Sequence, residues 1–259
     1  MDNILKKIVE NKIQEVEAQK NLLSEDDLIA FASKNNCHPL SISNALRNSK
    51  TGIIAEFKRR SPSRDAINVS ATASEVIPQY EKNGAAACSV LTDIRFFGGS
   101  FADLAIARNY ARIPLLRKDF IVDKYQIPQS LIMGADAILL IASILSDSQL
   151  QEYTEIAHQY GLEALVEIHD VREIGKIPHD ADLIGVNNRN LSTFHTDIEH
   201  SIEIAKALPS GFLKIAESGI KSFETTITLR NSGYSGFLIG ERFMRSQNPG
   251  DALADFLNS

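Results

Sequence analysis

Glu56 and Lys58 stand two residues apart at the end of the apolar run IIAEFK (53–58). Side chains alternate faces along an extended strand, so these two must point the same way. Other apolar runs end in the same manner: Lys118 in PLLRKDF (114–120), Glu167 in EALVEIH (163–169), Asn187 in LIGVNN (183–188), and Glu217 with Ser218 in LKIAES (213–218). Ionisable groups are costly to bury unpaired, yet here they interrupt strand-like segments. Ammonium and carboxylate groups from separate runs, gathered at one rim, would shift one another's pKa values and support acid–base catalysis. A salt-bridge plug is the competing reading, but buried ion pairs are a poor source of stability compared with apolar packing. A functional reason is favoured.

A second constellation points to an anion. Glu217-Ser218-Gly219 ends one run, and Gly240-Glu241 ends GFLIGE (236–241), with a short helical turn, ERFM, after it. Backbone N–H groups at a helix start bind anions, and glycine lets a ligand approach the backbone. The basic stretch KRRSPSR (58–64) directly follows the first run. It reads as a loop whose Lys58 and Ser61 meet an anionic substrate, in preference to a localisation signal or nucleic-acid patch. Gly98-Gly99-Ser100 reads as a mobile loop over the same mouth. The six histidines show no metal spacing; His158, His169, His179, His195 and His200 read as solvated, and no metal is expected.

These groups need a scaffold that brings strand ends together. Residues 1 to about 48 form a helical extension. Ile4, Leu5, Ile8, Val9, Ile13 and Val16 recur at helical spacing, and a second helix has Ser24 as N-cap and Leu28, Ile29 and Phe31 as its apolar side. From Ile53 the rhythm changes. AACSVLT (86–92) and AILLIA (137–142) join the runs above to make eight, beginning about 26 residues apart, with an amphipathic helical segment in each gap. Asn83-Gly84, Met133-Gly134, Tyr160-Gly161 and Ser232-Gly233 place glycine where helices would end. Eight such units fit an α/β fold of the TIM-barrel kind, (β/α)8, with an N-terminal helical extension, and 1–259 reads as one domain. A doubly wound sheet is disfavoured, because no G-x-G-x-x-G or P-loop follows the first run.

Composition narrows the partners. Lys plus Arg is 27 against Asp plus Glu 33, a net charge of −6, which argues against a general nucleic-acid face. The longest apolar stretch, Ala135 to Ala142 with Asp136 inside, is too short to span a bilayer, and no signal-peptide core opens the chain. Cys37 and Cys88 lie far apart and read as ordinary thiols of a reducing compartment. The expectation is a soluble, cytoplasmic protein acting on a small phosphorylated molecule. It has no nucleic-acid or membrane partner, and is a monomer or a weak homodimer.

The segments IIAEFKRRSPS, AAACSVLTD, LLRKDFIVDKYQI, ALVEIHD, IGVNNRNL, IAESGI and FLIGERFM together resemble the indole-3-glycerol phosphate synthase family, over nearly the whole chain. The resemblance implies a (β/α)8 barrel with an N-terminal helical section. It implies conversion of 1-(2-carboxyphenylamino)-1-deoxyribulose 5-phosphate to indole-3-glycerol phosphate, carbon dioxide and water, without cofactor or metal. By residue, it makes Lys118 the general acid on the ketose carbonyl and Lys58 the lysine at substrate anions and in the later dehydration. Glu167 becomes the carboxylate partner in proton transfer, Glu56 and Glu217 further mouth carboxylates, and Asn187 a hydrogen-bonding group. Arg189 and Ser61 would hold the substrate carboxylate, and Phe120 and Leu191 the aromatic ring. Ser218, Gly219, Gly240 and Glu241 would hold the phosphate. One departure stands out: Asp65-Ala66 replaces the glycine usual after S-P-S, and aspartate tolerates a left-handed backbone better than most residues. Two rivals remain, a phosphosugar barrel with a Schiff-base lysine at Lys118 and a non-catalytic phosphate-binding barrel.

Overall fold

The computed structural model describes residues 3–35, 38–189 and 196–259. Eight parallel strands close into a barrel in chain order: β1 (Ile53–Phe57), β2 (Ala87–Leu91), β3 (Leu115–Lys118), β4 (Ala137–Ile141), β5 (Glu163–Ile168), β6 (Leu183–Asn187), β7 (Leu213–Glu217) and β8 (Tyr234–Ile239). β8 pairs back onto β1 with Ile53 opposite Phe237. Three helices precede the barrel: α1 (Asn3–Leu22), α2 (Glu25–Ser33) and α3 (Ile42–Asn48). Six more alternate with strands: α4 (Ala73–Lys82), α5 (Phe101–Tyr110), α6 (Gln126–Ile132), α7 (Asp147–Gln159), α8 (Ile198–Ala207) and α9 (Phe223–Asn231). α10 (Glu241–Met244) and α11 (Pro249–Leu257) follow β8. The expected rhythm holds with one exception: between β5 and β6 the described helix is a short 3-10 turn, Val171–Lys176.

The strands run N- to C-terminus in the same direction, so their C-terminal ends share one rim. Period-two alternation then sorts each strand. Ile54, Leu116, Leu165 and Ile215 pack together inside the barrel, while Ile53, Ala55, Phe57, Ala164, Val166 and Ile168 pack outward beneath the helices. Glu56, Lys118, Glu167 and Glu217 stand two residues beyond those interior residues, and so face the axis at the rim. At the opposite end α3 closes the barrel, with Ile42 and Leu46 joining the interior cluster. Glu163 at the start of β5 fixes it there, accepting from Ser41 Oγ at 2.6 Å, Ser43 Oγ at 2.7 Å and Ser43 N at 2.9 Å.

Helix ends follow the glycine punctuation. α4, α6, α7 and α9 stop at Asn83, Met133, Tyr160 and Ser232, each followed by a glycine with φ between +72° and +94°. The extension departs from expectation in its faces. Ser24 caps α2, accepting from Asp27 N at 3.2 Å, but Ile29 and Phe31 are exposed and the buried side is Leu28 with Ala32, one turn apart and turned toward the barrel. In α1 Leu5, Ile8 and Val16 are buried and Ile13 is exposed. The position completing that stripe, between Ile8 and Val16, is Lys12, which is only 3% exposed.

Gly98-Gly99-Ser100 is a packed turn rather than a mobile loop. Gly99 N donates to Asp93 O at 2.8 Å, and Ser100 caps α5 by accepting from Asp103 N at 3.1 Å. At Asp65-Ala66 no left-handed backbone is required: among the described non-glycine residues Ser218 alone has positive φ, +66°. Cys88 is buried and unpaired, and Cys37 lies outside the described residues. Among the described residues no helix is long and apolar enough to cross a membrane.

A Cβ on Gly99 would stand 2.0 Å from the Leu91 carbonyl oxygen, a backbone atom that cannot step aside, whereas one on Gly175 would meet nothing within 4 Å. Gly99→Ala should therefore destabilise the fold by about 1–3 kcal/mol, seen as a fall of several degrees in thermal melting. Gly175→Ala should leave the melting temperature unchanged.

Candidate active site

The rim holds a cavity of about 510 Å³. Every residue nominated from the sequence lines it except Leu191, which lies outside the described residues. The site thus takes one group from each odd-numbered strand (Glu56, Lys118, Glu167 and Glu217), an alternation typical of the side-chain layers inside such barrels.

Lys118 is the centre of this layer. Its Nζ donates to Glu167 Oε2 at 3.2 Å and, more closely, to Glu217 Oε2. Burial works against its charge, yet Glu217, Glu167 and Glu56 outweigh that and hold its pKa above the ordinary lysine value. Lys58 forms a separate pair, its Nζ 2.5 Å from Glu56 Oε1. The two flanking carboxylates diverge. Burial also opposes the charge on Glu167, but Lys118 and then His169 prevail, and its pKa is lowered. Glu217 is pushed up to about 8 by burial and by the charge of Glu167, despite Lys118. Two carboxylates sharing one ammonium in a dry site cannot both ionise freely. Gly185 and Gly240 make room for this crowd: a Cβ on either would come within 2.2 Å of Glu217 Oε1 or 2.4 Å of Glu56 Oε1.

One end of the cavity is cationic. Arg64, Arg189 and Arg245 converge on Glu241, with Arg64 Nε at 3.3 Å and Arg189 Nη2 at 3.4 Å from its oxygens. Burial opposes the charge on Glu241, but Arg245, Arg189 and Lys58 lower its pKa. Its carboxylate is therefore occupied by arginines, and Glu241 faces the cavity as their organiser and through the backbone that starts α10. Arg189 also donates to Ser63 Oγ at 3.0 Å, and Ser61 pairs its backbone with Arg64. Ser218 and Gly219 turn here with φ of +66° and +76°, and Gly240 precedes α10.

The other end is apolar and includes residues that sequence reading missed. Phe97 lines the cavity and packs on Phe120, ring centroids 5.9 Å apart. α1 contributes Ile4, Leu5 and Ile8. Beneath them Lys12 lies within 3.1 Å of both Asp93 Oδ2 and Asp119 Oδ1. The signal for Lys12 was in the sequence: a lysine on the apolar stripe of an amphipathic helix. His169 corrects the reading of solvated histidines. Both its ring nitrogens are buried without a hydrogen-bond partner, and Nε2 lies 3.4 Å from Glu167 Oε1. His158 and His200 are likewise engaged, with Asp182 Oδ2 at 2.8 Å and the His169 carbonyl oxygen at 2.7 Å; His195 lies outside the described residues.

Comparison with known proteins bears on this arrangement. The family model described as indole-3-glycerol phosphate synthase matches residues 5–256. The indole-3-glycerol phosphate synthase of Bacteroides thetaiotaomicron is 46% identical over 259 residues, covering 100% of this chain and 99% of that protein. The protein of the same name from Campylobacter jejuni subsp. doylei is 43% identical over 257 residues, 98% of this chain and 100% of that one. Among solved structures, an N-acetylmannosamine-6-phosphate 2-epimerase from Clostridium perfringens superposes with a TM-score of 0.61 at 13% identity, over 87% of this chain and 99% of the other, a likeness of fold alone. A match that begins inside α1 and runs through α11, with the rim groups all present between them, leads to one conclusion: the chain belongs to the indole-3-glycerol phosphate synthase family.

Proposed function

We propose that this cavity closes the indole ring, converting 1-(2-carboxyphenylamino)-1-deoxyribulose 5-phosphate to indole-3-glycerol phosphate, carbon dioxide and water, and that the whole chain, with its 1–48 extension, works as one domain. The observation that carries the reading is the ammonium of Lys118 held between Glu167 and Glu217 at the centre of the rim, with a cationic end on one side and an apolar end on the other.

The substrate has a matching polarity: a phosphate at one end and an aromatic ring at the other. The phosphate is received by the backbone at Ser218, Gly219, Gly240 and Glu241, where the surrounding arginines favour an anion. Arg189 and Ser61 hold the substrate carboxylate, and Phe120 walls the ring. Anchoring both ends places the ring carbon that carries the carboxylate against the ketose carbonyl, and this remote binding energy lowers the barrier to bond formation.

As that carbon attacks, negative charge grows on the carbonyl oxygen and Lys118 donates a proton to it. The adduct carries positive charge on its nitrogen side, which Glu167 stabilises. Loss of carbon dioxide returns the bonding electrons to the ring. The new hydroxyl then leaves as water with a proton from Lys58, the neighbouring ring hydrogen passes to a rim carboxylate, and Asn187 hydrogen-bonds the reacting end. A Schiff base at Lys118 is the less favoured reading. An amine nucleophile must be unprotonated, and the carboxylates around Lys118 raise its pKa.

Mixing the protein with the carboxyphenylamino ketose should produce the fluorescence of an indole. Lys118→Ala should reduce kcat by about 10²–10⁴-fold, while the dissociation constant of a phosphate-bearing ligand stays within a small factor of the parent. Unimpaired turnover in Lys118→Ala would refute the assignment.

Glu217 gives a second test. Its pKa is about 8 in the folded protein against an ordinary 4.5. Between those values the folded state binds more protons than the unfolded one, so stability falls as pH rises. Glu217→Gln removes that liability. The melting temperature of Glu217→Gln relative to the parent should thus increase from pH 5 to pH 8, while its turnover drops. A difference that stays constant with pH would show that Glu217 ionises normally.

A further inference from the structure

Lys12 does not line the rim cavity, yet its ammonium joins the two loops that frame the apolar end. Nζ lies 2.9 Å from Asp119 Oδ1, 3.1 Å from Asp93 Oδ2 and 2.7 Å from Glu15 Oε2. Each aspartate in turn holds the backbone of a cavity-lining phenylalanine. Asp93 Oδ1 accepts from Phe96 N at 2.8 Å and Phe97 N at 3.2 Å, and Asp119 Oδ1 accepts from Phe120 N at 2.8 Å. The other oxygen of Asp119 is taken by Thr92 Oγ1 at 2.6 Å and Arg117 Nη2 at 3.0 Å. On its own helix Lys12 stands one turn from Ile8, which with Leu5 lines the same end of the cavity.

A buried ion cluster is a weak way to dock a helix. Apolar side chains at positions 12, 93 and 119 together would complete the stripe formed by Leu5, Ile8 and Val16 and would serve stability as well or better. What the cluster achieves instead is registration. Two carboxylates, on the loops after β2 and β3, are drawn together by a charge delivered from α1, so that Phe97, Phe120 and the α1 side chains meet at fixed spacing. Without Lys12, Arg117 reaches Asp119 but Asp93 keeps no cation among the described residues, and the two buried carboxylates repel.

We propose that Lys12 is a positioning residue for the aromatic half of the substrate: its ammonium clamps Asp93 to Asp119 and thereby sets the Phe97–Phe120 wall against α1. The proposal rests on the ring-closing reading of the cavity and adds to it a specificity device outside the reacting layer.

The test compares two competitive inhibitors. One is the substrate with its ketone reduced to an alcohol, which carries the aryl ring. The other is glycerol 3-phosphate, which offers only the phosphate end. Lys12→Met should raise the Ki of the aryl ligand about ten-fold or more, as expected for a misplaced binding wall, while the Ki of glycerol 3-phosphate stays within two-fold. KM should rise more than kcat falls. Parallel weakening of both ligands, or an unchanged Ki for the aryl ligand, would overturn the proposal. If Lys12→Met is too unstable to assay, Lys12→Met/Asp93→Asn keeps Asp119 paired with Arg117 and should give the same selective loss. Failure of both variants to fold would show a general structural role and would also overturn it. Turnover of the ketose by the unaltered protein tests the underlying reading separately.

Discussion

An ammonium group survives at the inner end of an apolar barrel here because carboxylates from separate strands surround it. Lys118 depends on Glu167 and Glu217 for its charge, and Glu167 depends on Lys118 for its own, while burial and Glu167 hold the Glu217 pKa up. The rest of the architecture can be read as the means of holding these groups in contact. Parallel strands bring their ends to one rim, the alternation of faces aims one group from every second strand at the axis, and small residues at Gly185 and Gly240 leave the volume that the carboxylates fill. Such an arrangement is poor at stabilising a fold. An ammonium and carboxylates held dry and preorganised in this way need little reorganisation when charge develops beside them.

The cavity's lining changes character from one end to the other. At one end three arginines gather around Glu241, and turns at Ser218, Gly219 and Gly240 expose backbone. At the other end Phe97, Phe120 and the inner face of α1 form an apolar wall. Lys118 and its carboxylates lie between. The helical extension is therefore part of the cavity wall as well as packing on the barrel, and a charge network at Lys12, Asp93 and Asp119 ties it to the loops that carry the aromatic side chains.

Much of this was legible in the chain. The alternation that places Ile54, Glu56 and Lys58 on one face is a local property of any extended strand, and the same reasoning located Lys118, Glu167 and Glu217. Glycines after α4, α6, α7 and α9 marked helix ends because only they adopt the left-handed backbone without strain. Besides the helix expected between β5 and β6, three readings did not survive. Ile29 and Phe31 were placed on the buried side of α2, Gly98–Ser100 was taken as mobile, and His169 was taken as solvated. Each error concerned what an element packs against, a matter of contacts with parts of the chain far away in sequence.

The sequence by itself determined the order of strands and helices, the faces of the strands and the types of reactive group, because these follow from torsional preference and from periodicity within a few residues. Tertiary structure alone decided which of those groups share a proton, which arginines neutralise Glu241, and why a lysine belongs on an apolar stripe. Charge pairing over 3 Å in a desolvated interior is set by the distance across the closed barrel, and that distance is not written in the spacing of residues along the chain.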